Sequence, residues 1–537
     1  MLTSLGHGKL AVVTENGNAA AAARAKGDMV VARSARGRGM PQKLKNRADS
    51  DRFGYFFPDA AEVADNADAF NQMGRIGSAM ITNGIPGPSG LASIITFLGQ
   101  FIDHDVTANT DRNPADLESF SIDPADQANP SITRNSRADV IAKLGNLRRG
   151  SLRLDSVYGD GTDLDDALRD GEKMRIGQTT AGRPFDLPRF GQVPGLEPDL
   201  EPGAAGGFGP VNPDKVALIG DGRNDENMII GALHLAFLRA HNAFVDSGLN
   251  FDDARRMTEW HYQWLIVNSY LPALCHPGAL GKVMRDKANG YKKFARDNGG
   301  FNEDRAPIPL EFSVAAYRHG HSLIRNGYRL NATANGNGGV STASDIFENT
   351  GTGGMGGAAT LRDDWVIDWD NFLDDADPQL ATEPLDTALA AGLGNLVNEP
   401  GPFLKNLAQR NLRRGYVLNL PSAQAAIASM PPGQRPNELS ANDLRGVPGG
   451  NQVDAEGLIG DTPMWFYILA ESEVQSGGRQ LGELGTMLTA ETLVGLVVQD
   501  HGSYWNENGS DQGKWQPSDE TFGIDSFGAF LSFAGVR

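Results

Sequence analysis

The sequence predicts a mainly α-helical protein built around one large domain, and three observations support this fold class. Apolar residues recur every three or four positions over long stretches, which is the period of an amphipathic helix. The alternation of apolar and polar residues that marks strands is scarce. No internal repeat or long polar linker divides the 537 residues into separate cores. We therefore expect one helical body with long loops and little β-structure.

Six stretches carry the helical period and define the predicted framework: residues 91–104, 226–247, 253–271, 312–325, 404–414 and 463–499. Connections rich in Gly, Pro, Asp and Asn separate these stretches, and the most extensive are residues 84–90, 184–213 and 335–358. Such connections are typical of turns and irregular loops. We expect them to be excursions on the helical body.

The charge distribution separates a short basic segment from an acidic remainder. Residues 1–52 hold ten Lys or Arg and four Asp or Glu, whereas the whole chain has 48 basic and 67 acidic residues. We interpret residues 1–52 as an N-terminal arm that lies across the acidic body, with a disordered tail as the alternative. Residues 53–537 are predicted to form the single large domain.

Composition also excludes several classes of function. A net charge of −19 disfavours a nucleic-acid partner, because phosphate backbones bind basic surfaces. We find no run of about 18 apolar residues, so no membrane span is expected. The single Cys275 permits no internal disulfide. The first thirty residues lack a conventional signal peptide, which predicts a cytoplasmic protein or non-classical export. The sequence does not indicate an oligomeric state.

The first candidate site lies in the sequence Gly99-Gln-Phe-Ile-Asp-His-Asp-Val-Thr107. On the predicted helix, Gln100 and His104 share one face, and Asp103 lies about 100° around the axis. Two carboxylates beside one imidazole would raise its pKa unless each had another partner. Taken alone, the motif also fits a hydrogen-bonded core histidine.

The second candidate site is Ile219-Gly-Asp-Gly-Arg-Asn-Asp-Glu226, at the start of an apolar stretch. Arg223 and Glu226 are three residues apart and are expected to face the same way. A guanidinium beside a buried imidazole can stabilise a developing anion. The alternative is a helix cap in which Asp225 and Glu226 stabilise the N-terminus.

The third candidate site is Tyr317-Arg-His-Gly-His-Ser-Leu-Ile324. His321 would share a helical face with apolar residues, and Gly320 beside it leaves room for a large planar group. Either a backbone carbonyl or a haem iron would satisfy such an imidazole. His319 is expected to point away and to be structural. His234 and His241, seven residues apart on the stretch 226–247, are interpreted as packing in the core or behind the site, with a metal-binding pair as the alternative.

Taken in order, the motifs resemble those of the peroxidase-cyclooxygenase superfamily, the animal-type haem peroxidases, and in particular its bacterial members. The set comprises Gly-Gln-Phe-x-Asp-His-Asp, Gly-Asp-x-Arg-x-x-Glu, Arg-x-Gly-His, Arg410-Asn411-Leu-Arg-Arg-Gly and Leu420-Pro-Ser-x-Gln. The resemblance covers residues 50 to 535.

This resemblance implies a haem peroxidase domain over residues 53–537. Its activity would be the reduction of hydrogen peroxide coupled to oxidation of small organic donors, halides or pseudohalides, with a role in the response to oxidative stress. Two alternatives on the same fold are a fatty-acid dioxygenase and a catalytically silent adhesion or interaction protein.

The resemblance implies roles for residues on both sides of a haem b. On the distal side it matches the base, the amide that holds water or halide, and the arginine: His104, Gln100 and Arg223. On the proximal side it matches the iron ligand and the acceptor of its other ring proton: His321 and Asn411. Further cofactor contacts are Arg318 and the two carboxylates that form haem esters in mammalian peroxidases: Asp103 and Glu226.

Two positions depart from patterns within the superfamily. Fatty-acid oxygenating members carry Tyr three residues before the proximal histidine, where this chain has Arg318, so an oxygenase is less well supported. Myeloperoxidase carries Met after the esterified Glu, where this chain has Asn227. We therefore predict a lower haem potential and poor chloride oxidation, with bromide, iodide, thiocyanate or phenols as better donors.

The family's calcium site is also altered. The resemblance keeps Asp105, Ser151 and Asp155 in register as ligands, but it places Arg149 and Arg153 where a threonine and an aspartate are expected. Ca²⁺ requires six to eight oxygen ligands, and a guanidinium repels it. We therefore predict that Arg153 pairs with Asp105 and replaces the calcium ion.

Overall fold

The computed structural model describes most of the chain beyond residue 50. The described residues are 12–14, 51–82, 89–108, 134–146, 148–159, 165–199, 205–206, 209–302, 305–334, 339–374, 377, 380–396, 405–506, 515–519 and 522–537. The predicted boundary at residue 52 therefore falls at the start of the main described region, and most of the predicted arm lies outside the described residues.

Helices dominate the described chain. Those before residue 220 are α1 Ala69–Met80, α2 Ile94–Val106, α3 Arg137–Lys143, α4 Asp155–Tyr158 and α5 Asp165–Leu168. Those between residues 220 and 400 are α6 Met228–Asp246, α7 Phe251–Leu265, α8 Leu271–Leu274, α9 Pro277–Arg285, α10 Asn289–Asp297, α11 Ala343–Glu348 and α12 Asp370–Leu373. The remainder are α13 Leu407–Val417, α14 Ala423–Ser429, α15 Ala441–Gly446, α16 Gly450–Ala455, α17 Met464–Ser476, α18 Glu483–Gln499 and α19 Phe527–Phe533.

The strands are short and form only small sheets. They are β1 Val12–Thr14, β2 Asp51–Gly54, β3 Gly145–Asn146, β4 Arg169–Asp170, β5 Lys173–Met174, β6 Glu197–Asp199, β7 Ala205–Gly206, β8 Gly209–Pro210, β9 Ile308–Pro309, β10 Gly327–Arg329 and β11 Val340–Thr342. Strand β2 pairs antiparallel with β3 and parallel with β9. Strand β1, which lies in the predicted arm, pairs antiparallel with β6. The predicted mainly α-helical class is confirmed.

Most of the six predicted helical stretches form as expected, with two local interruptions. The stretch 463–499 divides into α17 and α18, because Gly477 ends α17 in the left-handed conformation with φ 64°. The stretch 253–271 begins as α7 and then passes through a π-helical turn at Ile266–Tyr270. Both interruptions leave the apolar faces buried in the core.

The prediction of a regular helix over residues 312–325 is wrong. A π-helical turn, Glu311–Ala315, is followed by a 3₁₀ turn, Ala316–His321. The two are joined at Ala315, whose φ of −123° and ψ of −73° lie outside the α-helical region. His321 is therefore presented by a tight turn and not by the face of an α-helix.

Helix α6 runs through the buried core and packs against both α2 and α7. By length and composition alone it could cross a membrane, although the sequence contains no continuous apolar run of that length. However, 72% of its most apolar 18-residue window is buried inside the protein. This burial is typical of the central helix of a packed core.

Candidate active site

The three sequence motifs converge on helix α2. This helix packs against the 3₁₀ turn Gly222–Asp225, which carries Arg223, and against the turn Ala316–His321. Helices α17 and α18 support the second turn from the other side. Residues more than two hundred positions apart in the sequence are thereby assembled around one helix.

His104 is fully buried near the C-terminal end of α2. Its Nδ1 lies 2.8 Å from Oδ1 of Asn224, and its Nε2 lies 3.7 Å from Oε1 of Glu226. Burial, reinforced by the positive charge of Arg223, lowers the pKa of His104 to about 4. The imidazole is therefore neutral near pH 7, as a proton-accepting base requires.

Arg223 is an ion-paired guanidinium. Its Nε and Nη2 donate to the carboxylate of Asp221 at 3.1 and 2.7 Å, and Nη2 also donates to the carbonyl of His104 at 2.8 Å. Arg148 pairs with the same carboxylate. Although burial opposes ionisation, Arg148 and Arg223 hold the pKa of Asp221 well below its ordinary value. This pair fixes Arg223 against the backbone of α2.

Glu226 and Gln100 form a second polar contact beside His104. The Gln100 amide nitrogen donates to Glu226 Oε1, and its oxygen accepts from Nδ2 of Asn227 at 3.2 Å. Asn227 also caps α6, because its Oδ1 accepts from the backbone N–H of Ile230 at 2.9 Å. The alternative interpretation, a cap by Asp225 and Glu226, is therefore not what forms, because these carboxylates pair with Arg189 and Gln100.

Asp103 is bonded at both oxygens. Its Oδ2 lies 3.0 Å from Nη1 of Arg318, and its Oδ1 accepts from the hydroxyl of Thr107 at 2.8 Å. Arg318 is anchored further by a hydrogen bond from Nε to the carbonyl of Ser313 at 2.8 Å. An ion pair thus joins two residues that the sequence assigned to cofactor binding.

His321 and Asn411, predicted as partners, are adjacent. Nδ2 of Asn411 lies 2.7 Å from Nδ1 of His321. Burial, with the positive charges of Arg318 and Arg410, lowers the pKa of His321 well below its ordinary value. In this orientation the amide nitrogen donates to Nδ1, and the ring proton lies on Nε2. A 180° turn of the amide would place the proton on Nδ1 and leave Nε2 for a metal.

The backbone beside His321 is open at Gly320. A Cβ added at Gly320 would meet no described atom within 4 Å, so the position faces open space. Arg318 and Arg410 place positive charge near the imidazole, as the carboxylates of a haem would require. No cluster of three or more His, Cys, Asp or Glu that could hold a metal occurs in the described part of the chain. A single axial imidazole is nevertheless the donor set that a haem iron uses.

The calcium-site region takes a different form from the predicted one. Arg153 forms a two-pronged pair with Asp500 instead of Asp105. Asp105 accepts from the backbone N–H groups of Leu154 and Ser156, both at 3.1 Å. The predicted pairing of Arg153 with Asp105 is therefore wrong.

The neighbouring carboxylate also lies near a guanidinium. Nε of Arg149 lies 3.8 Å from Oδ2 of Asp155. This positive charge opposes the binding of Ca²⁺ at Asp155. The replacement of calcium stays a prediction, and the arginine partner that it named for Asp105 is wrong.

Two residues near His104 were missed by the sequence analysis. Asn224 lies between His104 and His234, and its Nδ2 is 2.9 Å from Nδ1 of His234. Asn224 was not singled out, and His234 was interpreted as a packing residue. The contact between them was therefore not predicted. The signal that could have found them is the uncharged amide of Asn224 among the charged side chains of Arg223, Asp225 and Glu226.

Comparisons with known proteins agree with this arrangement. Residues 75–362, just over half of the chain, match the model of the animal haem peroxidase family. A peroxidase-like protein from Margaritifera margaritifera is 26% identical over 273 residues. That match covers 43% of this chain and only 31% of the length of the relative.

Two solved structures share the fold. Peroxidase A from Dictyostelium discoideum aligns with a TM-score of 0.58 and 19% identity, over 88% of this chain and 92% of that chain. A fatty acid alpha-dioxygenase from Arabidopsis thaliana aligns with a TM-score of 0.50 and 14% identity, over 88% and 75% of the two chains. At these identities the similarity establishes the fold alone.

Proposed function

The chain belongs to the animal haem peroxidase family, and we propose that it is a haem-dependent peroxidase acting on hydrogen peroxide and small electron donors. The observation that carries this proposal is the buried, neutral His104 on α2, with Arg223 fixed to the same helix. A base and a guanidinium held together in a water-poor site suit heterolysis of a peroxide bond. The donors that we propose are phenols, bromide, iodide and thiocyanate.

The residues that would hold the haem are those around the turn Ala316–His321. His321 would bind the iron through Nε2. The structure has the amide nitrogen of Asn411 2.7 Å from Nδ1, so the amide would have to turn by 180° for its oxygen to accept the Nδ1 proton. Arg318 and Arg410 would balance the haem carboxylates. When bound, haem b supplies the redox-active iron that accepts and delivers electrons.

The chain's own groups would carry the proton transfers. His104 Nε2 accepts a proton from hydrogen peroxide and returns it to the departing oxygen. Arg223 stabilises the negative charge that develops there. Asp221 keeps the guanidinium of Arg223 in place. Because both side chains are buried, water does not weaken their ion pair.

We also propose ester links between the haem and two carboxylates, Asp103 and Glu226. An ester would remove the cost of keeping carboxylates in a buried pocket. Asp103 would have to exchange its contact with Arg318 for the ester bond. Glu226 would have to release the amide of Gln100.

The donor preference follows from Asn227. Its amide donates to Gln100 and accepts from the backbone at the N-terminus of α6. It has no sulfur atom that could form a sulfonium bond to haem. The haem potential would then be lower than that of an enzyme with such a bond, and chloride oxidation poor. Efficient chlorination at neutral pH would contradict this preference.

Two features argue against fatty-acid oxygenation. Arg318 stands where oxygenating relatives carry their radical tyrosine, and it is bonded to Asp103. The neighbouring Tyr317 stacks on Phe312 at 4.6 Å between ring centroids, and its hydroxyl lies 3.4 Å from that of Tyr270. The ring of Tyr317 is therefore packed within the protein core.

An optical titration of the purified protein with hemin tests the proposal. We expect a Soret band that saturates at one haem per chain and shifts when hydrogen peroxide is added, with the original spectrum restored by a phenolic donor. The variant His321→Ala should lose the saturable binding. Wild-type protein that takes up no haem would favour an adhesion or interaction protein instead.

A further inference from the structure

We infer that Asn224 is a positioning residue that fixes the ring proton of His104 on Nδ1 and so leaves Nε2 as the basic nitrogen. The consequence for catalysis rests on the proposed peroxidase function. The tautomer itself is a property of this chain and can be measured without haem.

Three fully buried side chains form the arrangement. Nδ1 of His104 lies 2.8 Å from Oδ1 of Asn224, and Nδ2 of Asn224 lies 2.9 Å from Nδ1 of His234. All three residues are 0% exposed. Water therefore does not compete for these hydrogen bonds, and each contact must match a donor with an acceptor.

The chemistry of the amide determines the tautomers. A carboxamide oxygen only accepts and its nitrogen only donates. Because the oxygen faces His104, Nδ1 of His104 must carry the proton and donate it. Because the nitrogen faces His234, Nδ1 of His234 must accept, and the proton of that ring lies on Nε2.

The two orientations of the amide give opposite pairs of tautomers. Each orientation leaves one of the two rings in the intrinsically less stable Nδ1–H form, so this preference does not choose between them, and the inference rests on the oxygen of Asn224 facing His104. In the opposite orientation the amide nitrogen would donate to His104, and the proton of His104 would lie on Nε2. In that state His104 could not act as a base toward peroxide.

Glu226 and Asn224 favour opposite tautomers of His104. A carboxylate near Nε2 favours a proton on that nitrogen. Its Oε1, however, lies 3.7 Å away, beyond hydrogen-bonding distance, and is already bonded to the amide of Gln100. Arg223, Asp221 and Asp103 also act on His104 through their charges, and Nη2 of the arginine donates to its backbone carbonyl at 2.8 Å. The short contact with Asn224 therefore decides where the proton lies.

Nitrogen-15 NMR of the haem-free protein, labelled at histidine, tests this assignment. Three other buried histidines provide internal references within the same spectrum. His261 and His319 donate from Nδ1 to backbone carbonyls at 2.7 and 2.9 Å, which identifies the Nδ1–H form. His241 contacts the carbonyl of Glu172 through Nε2 at 2.9 Å, which identifies the Nε2–H form. The variant His104→Gln assigns the signal of His104 by its loss.

We expect the Nδ1–H tautomer for His104 in the wild type and in Asn224→Asp, which keeps an acceptor oxygen. In Asn224→Leu, which has a similar size and no polar atoms, the proton should move to Nε2, while His241 keeps its signal. A wild-type His104 protonated on Nε2 would overturn the inference. An unchanged tautomer in Asn224→Leu would overturn it as well. If Asn224→Leu does not fold, the tautomers of His104 in the wild type and in Asn224→Asp still test the inference.

A kinetic measurement then tests the consequence. With haem bound, Asn224→Leu should react with hydrogen peroxide at least about tenfold more slowly than wild type, because the basic nitrogen is masked. Hemin affinity should be unchanged, since His321 is not altered, and Asn224→Asp should recover most of the rate. An unreactive wild type would contradict the peroxidase proposal, whereas the NMR result would still decide the role of Asn224.

Discussion

Nη1 of Arg318 lies 3.0 Å from Oδ2 of Asp103, so an ion pair joins the turn that carries His321 to the helix that carries His104. Both side chains are largely buried, with 15% and 8% exposure. A buried pair of this kind fixes geometry more than it adds stability, because desolvation offsets most of the attraction. The pair therefore ties the two halves of the candidate site together.

The first prediction concerns covalent haem attachment. Peroxide treatment of the haem-loaded protein should convert extractable haem into haem retained after denaturation, because Asp103 and Glu226 would form esters. Asp103→Asn and Glu226→Gln should each reduce the retained fraction, and the double variant should abolish it. Acidified-solvent extraction followed by mass spectrometry measures this fraction.

The isosteric amides are suitable replacements because they keep the size of each side chain while removing the ester-forming oxygen. Haem retained by the double variant to the wild-type extent would show that neither carboxylate forms the link. If only one of the two single variants retains less haem than wild type, only the carboxylate changed in that variant forms an ester.

The second prediction concerns His104 and pH. His104→Gln should lower the rate constant for the reaction with peroxide by about 10²- to 10⁴-fold, with hemin binding retained. The pKa of His104 is lowered to about 4, so the base is neutral above that pH. In the wild type the rate should be level near neutral pH and fall as the pH drops through about 4. Stopped-flow measurement of the Soret band gives both results.

The same pH series in His104→Gln is the control. Its rate should be low and should lack the inflection near pH 4. A wild-type inflection near the ordinary histidine value of about 6.5 would mean that burial does not depress this pKa in solution.

The third prediction concerns the helix cap at Asn227. Asn227→Ala should lower the free energy of unfolding by about 1 kcal/mol, since the N–H of Ile230 loses its acceptor. Asn227→Asp keeps an acceptor at the same position and should stay close to wild type. Urea denaturation followed by circular dichroism measures the difference. Equal stability of the alanine and aspartate variants would show that the cap contributes nothing.

The fourth prediction concerns calcium. Because Arg149 approaches Asp155 and backbone N–H groups occupy Asp105, chelators and added Ca²⁺ should leave the thermal midpoint unchanged. Elemental analysis should find no calcium in stoichiometric amounts. One tightly held calcium ion per chain would contradict this account.

The sequence was sufficient to predict the helical framework and the residues that meet at the site. Helix α2 is set by a continuous apolar stripe, so Gln100 and His104 could be placed on it from their spacing alone. The proximity of Asn411 to His321 followed from the family resemblance, because ninety intervening residues carry no local signal for that contact.

Contacts that depend on tertiary packing were not predictable from the motifs. The backbone break at Ala315 replaces a helix with a tight turn, although the residue types favour a regular helix. Asp105 and Asp500 are both acidic, so charge alone could not identify the partner of Arg153. The folded structure pairs Arg153 with Asp500. The link through Asn224 joins residues of three segments, which no single motif contains.

The most direct test of the account is the iron position in a crystal of the haem-loaded protein, located by anomalous scattering. The account predicts a single iron peak bonded to Nε2 of His321, with the ring of His104 on the opposite face of the porphyrin. An iron bound through another residue, or a haem with both imidazoles on one face, would contradict it.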